Sequence, residues 1–402
     1  MTDRAQVSHL LRRLTFGPTA AEVDAAVRDG FDATLERLLR PVAVPQAPPM
    51  GEEPAAGATR EERLEARKKQ REQVVALGRW WLGRMAAGSA AEKLTFFWHG
   101  HWATSAQKVR SAHLMFAQQQ TFRRYGTGDT SPLVRAMLRD PALILWLDGQ
   151  KNTRKAPNEN LAREVMELFT LGVGAYGESD VKAGARVLTG WQVDRTTGQA
   201  RLVARRHDTG RVTLLGQTGV FDLDAYADLL VRHEAHVPFL AGRLWARYAG
   251  SFTVPGSVAA AGRNTTALLR AVCRAPEFAE TAGTLVKQPV EWLVGAVRQL
   301  GIAPTGLDGT LRALGQVPLR PPSVGGWPEG AAWLTTSSTL TRLRAGQKLA
   351  AQSQEAPADP EALANLLVVD GWSDRTYAVL KEVRKPRELV ALGLASPEYA
   401  VH

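Results

Sequence analysis

The stretch "AEKLTFFWHGHWATS", residues 91–105, sets the terms for the whole chain. Its first half, through Trp98, reads as a helix ending in a cluster of three aromatic residues. Two histidines then stand two residues apart, His99 and His101, with Gly100 between them. On a continuous helix their rings diverge by ~200°, from about 100° per residue. A helix that stops at Gly100, where the missing Cβ permits a break, lets both imidazoles converge. The pair therefore reads either as two ligands of a metal ion or as hydrogen-bonded core histidines beside Trp98 and Trp102.

The flanking sequence is overwhelmingly helical. "TAAEVDAAVRDG" opens with a capping box at Thr19 and Glu22 and stops at Gly30. Residues 41–58 are rich in Pro, Ala and Gly without periodicity and read as a linker or surface loop. "TREERLEARKKQREQVVALGRWWLGRMAAG" then alternates charge at helical spacing before turning apolar, which predicts a helix docked by its second half. In "SPLVRAMLRD", Ser131 and Pro132 read as cap and first-turn proline. Short alternating runs over residues 190–216 form the one convincing β region, a small hairpin or three-stranded meander. The fold class expected is mainly α: a multi-helix globular protein with a small β insertion.

Bulk properties bound the function. A chain of 402 residues suggests two or three domains on length alone. Its apolar runs all fall short of the ~20 residues that cross a bilayer, and arginines interrupt any apolar leader near the start. As written the chain reads as cytoplasmic, and as exported only where a leader has been removed. The single cysteine, Cys273, leaves no intrachain disulfide and no cysteine-based zinc or iron–sulfur site. Within an apparent helix it is expected to be a small buried hydrophobe. A net charge of +10 suits an anionic partner. Yet the basic residues are scattered, only "RKKQR" at 67–71 forms a run, and nucleic-acid motifs are missing. A solvated basic surface is the expected reading and nucleic acid ranks last.

The second stretch with chemical content is "PNENLAREVMELFTLG", residues 157–172. Asn158 is a candidate N-cap. A straight helix from there puts Asn160, Glu164 and Glu167 near one face and pairs Arg163 with Glu167 at i, i+4. Two carboxylates a turn apart suit divalent-metal ligation or paired acid–base work, although a surface ion pair is the plainer account. His207 and Asp208 in "RRHDTG" could form an oriented imidazole–carboxylate pair or simply a turn before Gly210. His233 and His236 in "RHEAH" miss the spacing of a zinc-protease motif, and His236 is expected to be solvated or capping. Phosphate-loop, dinucleotide and nucleophile-elbow signatures are lacking. Trp191, Trp327 and Trp333 lie in loops, where they could stack on a sugar but more often cap a core edge.

Several stretches together carry a resemblance. "HLLRRLTFGPTAAEV", "LTFFWHGHWATS", "PNENLAREVMELFTLGVGAY", "DVKAGARVLTGW", "HDTGRVTLLG", "VKQPVEWLVGAVRQLG" and "PPSVGGWPEGAAWLTTSSTLTRL" occur in the expected order. The chain resembles the domain-of-unknown-function 1800 family of bacterial proteins, from His9 to "SPEYA" at 396–400, and is read as one family unit. The resemblance implies a mostly helical protein, often exported and encoded beside sulfatase-like proteins, which makes such a protein an expected partner. It departs from the pattern at Gly100, where a larger polar residue is expected. It also selects Trp98, His99, His101, Asn160, Arg163, Glu164, Glu167, His207, Asp208 and His233 as candidates.

The leading expectation is a metal-dependent hydrolase or oxidoreductase. His99, His101 and Glu164 hold a divalent or transition metal ion, and Glu167, His207, Asp208, Arg163 and Asn160 serve the chemistry. The competing expectation is a non-catalytic binding or assembly protein. Its buried polar network would fix helix register, and its basic, Trp-bearing surface would take an anionic glycan or other polyanion.

Overall fold

The computed structural model describes residues 3–55, 57, 59–250 and 253–402. The chain is mainly α-helical, as the periodicity predicts, with short antiparallel strands confined to residues 191–219. The first capping box forms as read, with Thr19 accepting from the Glu22 amide and Gly30 closing the helix in the left-handed region. The Arg60–Ala86 helix keeps its charged half in solvent and buries Val74, Leu77, Trp81, Leu82 and Met85 from its second half. No helix among the described residues is long and apolar enough to cross a membrane.

The decisive element is the helix Ala90–His101. It does not break at Gly100 but runs through it to His101. Nine of its residues are buried, including Glu92, Lys93, His99 and His101. Leu94, Phe97 and Trp98 enter one hydrophobic core, built largely on helices between residues 112 and 278. Phe96 enters a second core with Trp81, Trp292, Trp327 and the C-terminal helices. This central helix is therefore the partition between two cores.

Burying Glu92 and Lys93 demands partners, because an unpaired charge in a low-dielectric interior is far too costly. Glu92 accepts from Trp81 Nε1 (2.9 Å) and Arg123 Nη2 (2.7 Å). Lys93 donates to the Thr15 carbonyl (2.9 Å) and contacts Glu291 of the helix Pro289–Gln299. Arg247, from the helix His236–Tyr248, reaches the same Glu291 oxygen at 2.7 Å. His402 lies 3.4 Å from the other oxygen. Burial pushes the Glu291 carboxyl upward, but Arg247 and Lys93 outweigh it and hold the group well below the usual carboxylate range. Lys93 is the member that yields: burial drives it down to about 8 against the pull of Glu291.

Three local expectations shift. The helix Thr130–Leu138 is capped by Asp129, whose side chain accepts from the Ser131 amide, so the cap falls two residues before Ser131. The β region is two separate hairpins, Trp191–Asp194 with Gln199–Leu202 and Val212–Leu214 with Gln217–Gly219. A 3-10 turn at Ala204–Arg206, tied by the Arg154 amide to the Arg206 carbonyl (2.8 Å), separates them and prevents a continuous meander. Described residues 41–55 have no helix or strand, as read. They are stitched to the helices by Gln73 donating to the Met50 and Glu52 carbonyls (2.7 and 2.9 Å).

Glu291→Ala would strand Lys93 and Arg247 without their shared counter-charge. We expect a loss of roughly 3–5 kcal/mol in urea unfolding. Replacing an exposed acid such as Glu361 should change stability by less than about 0.5 kcal/mol.

Candidate functional site

The second stretch with chemical content folds in an unexpected way. Asn158 accepts from the Asn160 amide, and an α-helix runs over Asn160–Glu164. From Val165 to Thr170 the backbone widens to a π-helix. The Leu171 amide reaches back five residues to the Met166 carbonyl (2.8 Å). A π-turn admits an extra residue, so side chains beyond it leave the faces that a straight helix assigns. This is why Arg163 does not pair with Glu167. Arg163 instead donates to both oxygens of Glu178 (2.9 and 2.7 Å) and to Glu159 (3.3 Å). Glu167 accepts from the Tyr176 hydroxyl (2.7 Å). Glu164 is half-buried, and burial followed by the charge of Glu167 raises its carboxyl above the ordinary value.

The last carbonyls of a helix have no partner within it. Here two buried histidines supply them. His101 Nε2 lies 2.9 Å from the Phe169 carbonyl, and His236 Nδ1 lies 2.9 Å from the Thr170 carbonyl. A carbonyl only accepts, so each of those nitrogens carries the proton. His236 Nε2 then accepts from the Thr130 hydroxyl at 2.9 Å. His236, expected near solvent, is thus a core histidine, because its helix begins inside the molecule rather than at the surface. His101 is left with Nδ1 as an acceptor, and that atom has no partner among the described residues. Burial, and then Arg243, push the His101 imidazole down to about 3.

His99 points elsewhere. Its ring sits edge-on to Trp81 and Trp327, each at 5.4 Å between centroids, while His101 stacks on Phe97 at 5.7 Å. Because the helix continues through Gly100, the two rings diverge as the helical geometry requires. Among the described residues no three His, Cys, Asp or Glu side chains gather to share a metal ion. His99, His101 and Glu164 are therefore not assembled as one ligand set. His207 donates from Nδ1 to the Thr189 carbonyl (2.9 Å). Asp208 accepts from Arg186 (2.7 Å) and from the Gly210 amide (2.8 Å), which makes it the residue that shapes the turn. His233 accepts from the Ala235 amide two residues on.

A cleft does form beside His101. Its inner chamber, about 30 Å³, is walled by His101, Gly100, Arg243, Arg247, Gln288 and Trp327. Arg247, Gln288 and Glu329 also wall an adjoining hollow of about 200 Å³. The loop that closes the chamber approaches the histidine segment backbone to backbone. Gly326 has φ +86°, and a Cβ there would stand 2.6 Å from the Gly100 carbonyl oxygen, so only glycine fits. Trp327 stacks on Phe96 at 5.3 Å and is buried, as is Trp333; both cap the core edge. Trp191 is half-buried with the Arg139 guanidinium 5.8 Å from its ring.

Arg243, Arg247, Gln288 and Glu329 escaped the reading of the sequence. The available signal was "AGRLWARY", two arginines at i, i+4 in an otherwise apolar helix. Asn160, Arg163, Glu164, Glu167, His207 and Asp208 do not line this cleft.

His99, held at about 3 by burial, takes up its proton far more readily in the unfolded chain. The unfolded state binds more protons between about pH 6.5 and 3, so stability is full above about 6.5 and falls as pH drops, by roughly 1.4 kcal/mol per pH unit for each such group. Among the described residues neither His99 nitrogen has a hydrogen-bond partner to lose. His99→Phe should therefore flatten the acid limb of the stability–pH curve by one proton, read from urea midpoints across that range.

The comparisons with known proteins agree with the extent of the fold. No curated protein and no solved structure matches the chain. A family model matches residues 9–401, nearly the whole length, and spans the histidine segment, the π-turn and the Gly326 loop alike. The chain belongs to the family described as "Protein of unknown function (DUF1800)".

Proposed function

We propose that this protein binds a small anionic, hydroxyl-bearing ligand, of the class of an acidic sugar or hydroxy acid, in the cleft between His101, Arg243 and Trp327. One observation carries the reading. Three of the residues that wall a single chamber each carry a buried polar atom, His101 Nδ1, Arg243 Nε and Trp327 Nε1, with no hydrogen-bond partner among the described residues. Buried polar groups left unmade cost roughly 1–3 kcal/mol each, and a ligand that satisfies them recovers that cost. Arg243 and Trp327 only donate, which calls for an oxygen acceptor on the ligand. His101 Nδ1 only accepts while the ring is neutral, which calls for a hydroxyl. Arg243 and Arg247 bring two positive charges. Glu329 lies 3.5 Å from Arg243, and Glu291 neutralises Arg247 from behind. The hollow of about 200 Å³ accommodates a ring-sized body beside the chamber.

The same arrangement favours a catalytic second reading. With its tautomer fixed by the Phe169 carbonyl, His101 keeps an unpaired lone pair on Nδ1, and an anion bound in the chamber raises its basicity from about 3. A metal-dependent enzyme built on His99, His101 and Glu164 is supported less well, since those side chains do not gather at one point.

D-glucuronate, D-glucose and acetate at equal concentration separate these needs. Glucuronate alone should raise the melting temperature of the wild type measurably, and Arg243→Ala should abolish the rise. An equal response to glucose, or an unchanged rise in Arg243→Ala, contradicts the proposal.

A further inference from the structure

The basic run at 67–71 is expected to be a solvated helix face. Only part of it is. Arg67, Gln70 and Arg71 recur at i, i+3 and i+4 and so share one side of the Arg60–Ala86 helix. That side forms a wall of a cavity of about 310 Å³. The opposite walls carry Gln107 and Arg110, from the end of the short helix Ala106–Val109, and Arg320 from a turn far along the chain. Lys68 and Lys69 are not on these walls.

Four arginines thus line one cavity, no acidic residue lines it, and none of the four has an ion-pair partner among the described residues. Asp308, the acid that acts on Arg320 from a distance, is already bonded to Arg79 at 2.7 Å. Burial first, and then the neighbouring Arg312, make Arg320 less basic than usual, with Asp308 opposing them. Elsewhere in this protein arginines find carboxylates readily, as Arg270 does with Glu36 and Arg139 with Asp224.

The backbone supports this grouping at a cost. Arg110 has φ +57° and Leu319, just before Arg320, has φ +68°, both in the region that non-glycine residues avoid. The two strained positions lie on adjacent strands of chain, because the Ala106 amide donates to the Leu319 carbonyl at 2.8 Å. Leu319 is fully buried and anchors that turn in the second core.

We infer that the Arg67–Arg71–Arg110–Arg320 cavity is a binding site for a phosphate- or sulfate-class oxyanion, free or carried as an ester on a polar ligand. Planar guanidinium forks match tetrahedral oxyanions with paired hydrogen bonds, and several together select for multiple negative charge. Gln70 and Gln107 add neutral donors and acceptors for the remainder of such a ligand. This site is separate from the His101 cleft and shares no wall residue with it.

The test is calorimetric titration of the full chain with pyrophosphate, inorganic phosphate and sulfate, at ionic strength fixed with chloride. Arg71→Ala and Arg320→Ala each remove a wall residue, and Lys68→Ala removes an equal charge beside the cavity. We expect saturable binding of one pyrophosphate, weakened at least about tenfold by either wall variant and less than about twofold by Lys68→Ala. Raising the pH from about 6 to 8 deprotonates phosphate but not sulfate. An affinity that climbs for phosphate marks a phosphate site, and a pH-independent preference for sulfate marks a sulfate site; either upholds the proposal. Unsaturable binding by the wild type, or equal weakening by Lys68→Ala, overturns it. Circular dichroism and melting temperature confirm that the exposed Arg71 variant remains folded.

Discussion

A lysine and a glutamate that meet with no solvent on either side hold this molecule in register. Lys93 sits on the central helix, Glu291 on the helix Pro289–Gln299, and Arg247 on the helix His236–Tyr248. One carboxylate serves two buried cations, so none of the three helices can slide without stranding a charge. Such a cluster adds little net stability compared with apolar packing. What it supplies is a unique alignment between the two hydrophobic cores that the central helix divides. Arg247 belongs both to this cluster and to the wall of the cleft, so the constraint that fixes the fold also fixes the site.

The histidines follow from the same alignment. With the central helix fixed, His101 meets the end of the π-turn, and His236 meets the next carbonyl of that turn. Their protons are committed to backbone oxygens, which defines the tautomer of each ring. The π-turn leaves its last carbonyls without helical partners, and the two histidines satisfy them where they would otherwise be buried unpaired. His101 is then structural at one nitrogen and unpaired at the other among the described residues. That division of labour is the physical basis for placing ligand recognition at Nδ1.

Much of the fold was legible because it is written locally. The Thr19–Glu22 box, the division of the Arg60–Ala86 helix into wet and dry halves, and the position of the β region all follow from spacing within a few residues. The site was legible only in outline. His101 and the Gly–Gly–Trp loop stood out, and they do meet, at Gly100 and Gly326. A π-turn leaves no mark in apolar periodicity, so Arg163 was assigned to Glu167 rather than Glu178. Gly100 permits a helix to end or to continue, and tertiary packing on both sides decided for continuation. The partners of Lys93 and Arg247 lie about two hundred and about forty residues away, beyond any reading of local pattern.

The most direct measurement is the nitrogen NMR spectrum of the His101 ring, assigned by comparison with His101→Gln. The account predicts a neutral ring protonated on Nε2 from about pH 8 down to about pH 5, titrating only near 3, with Nδ1 the nitrogen that responds to D-glucuronate. A ring that titrates near 6.5, or that carries its proton on Nδ1, would contradict both the capping of Phe169 and the proposed role of the open nitrogen.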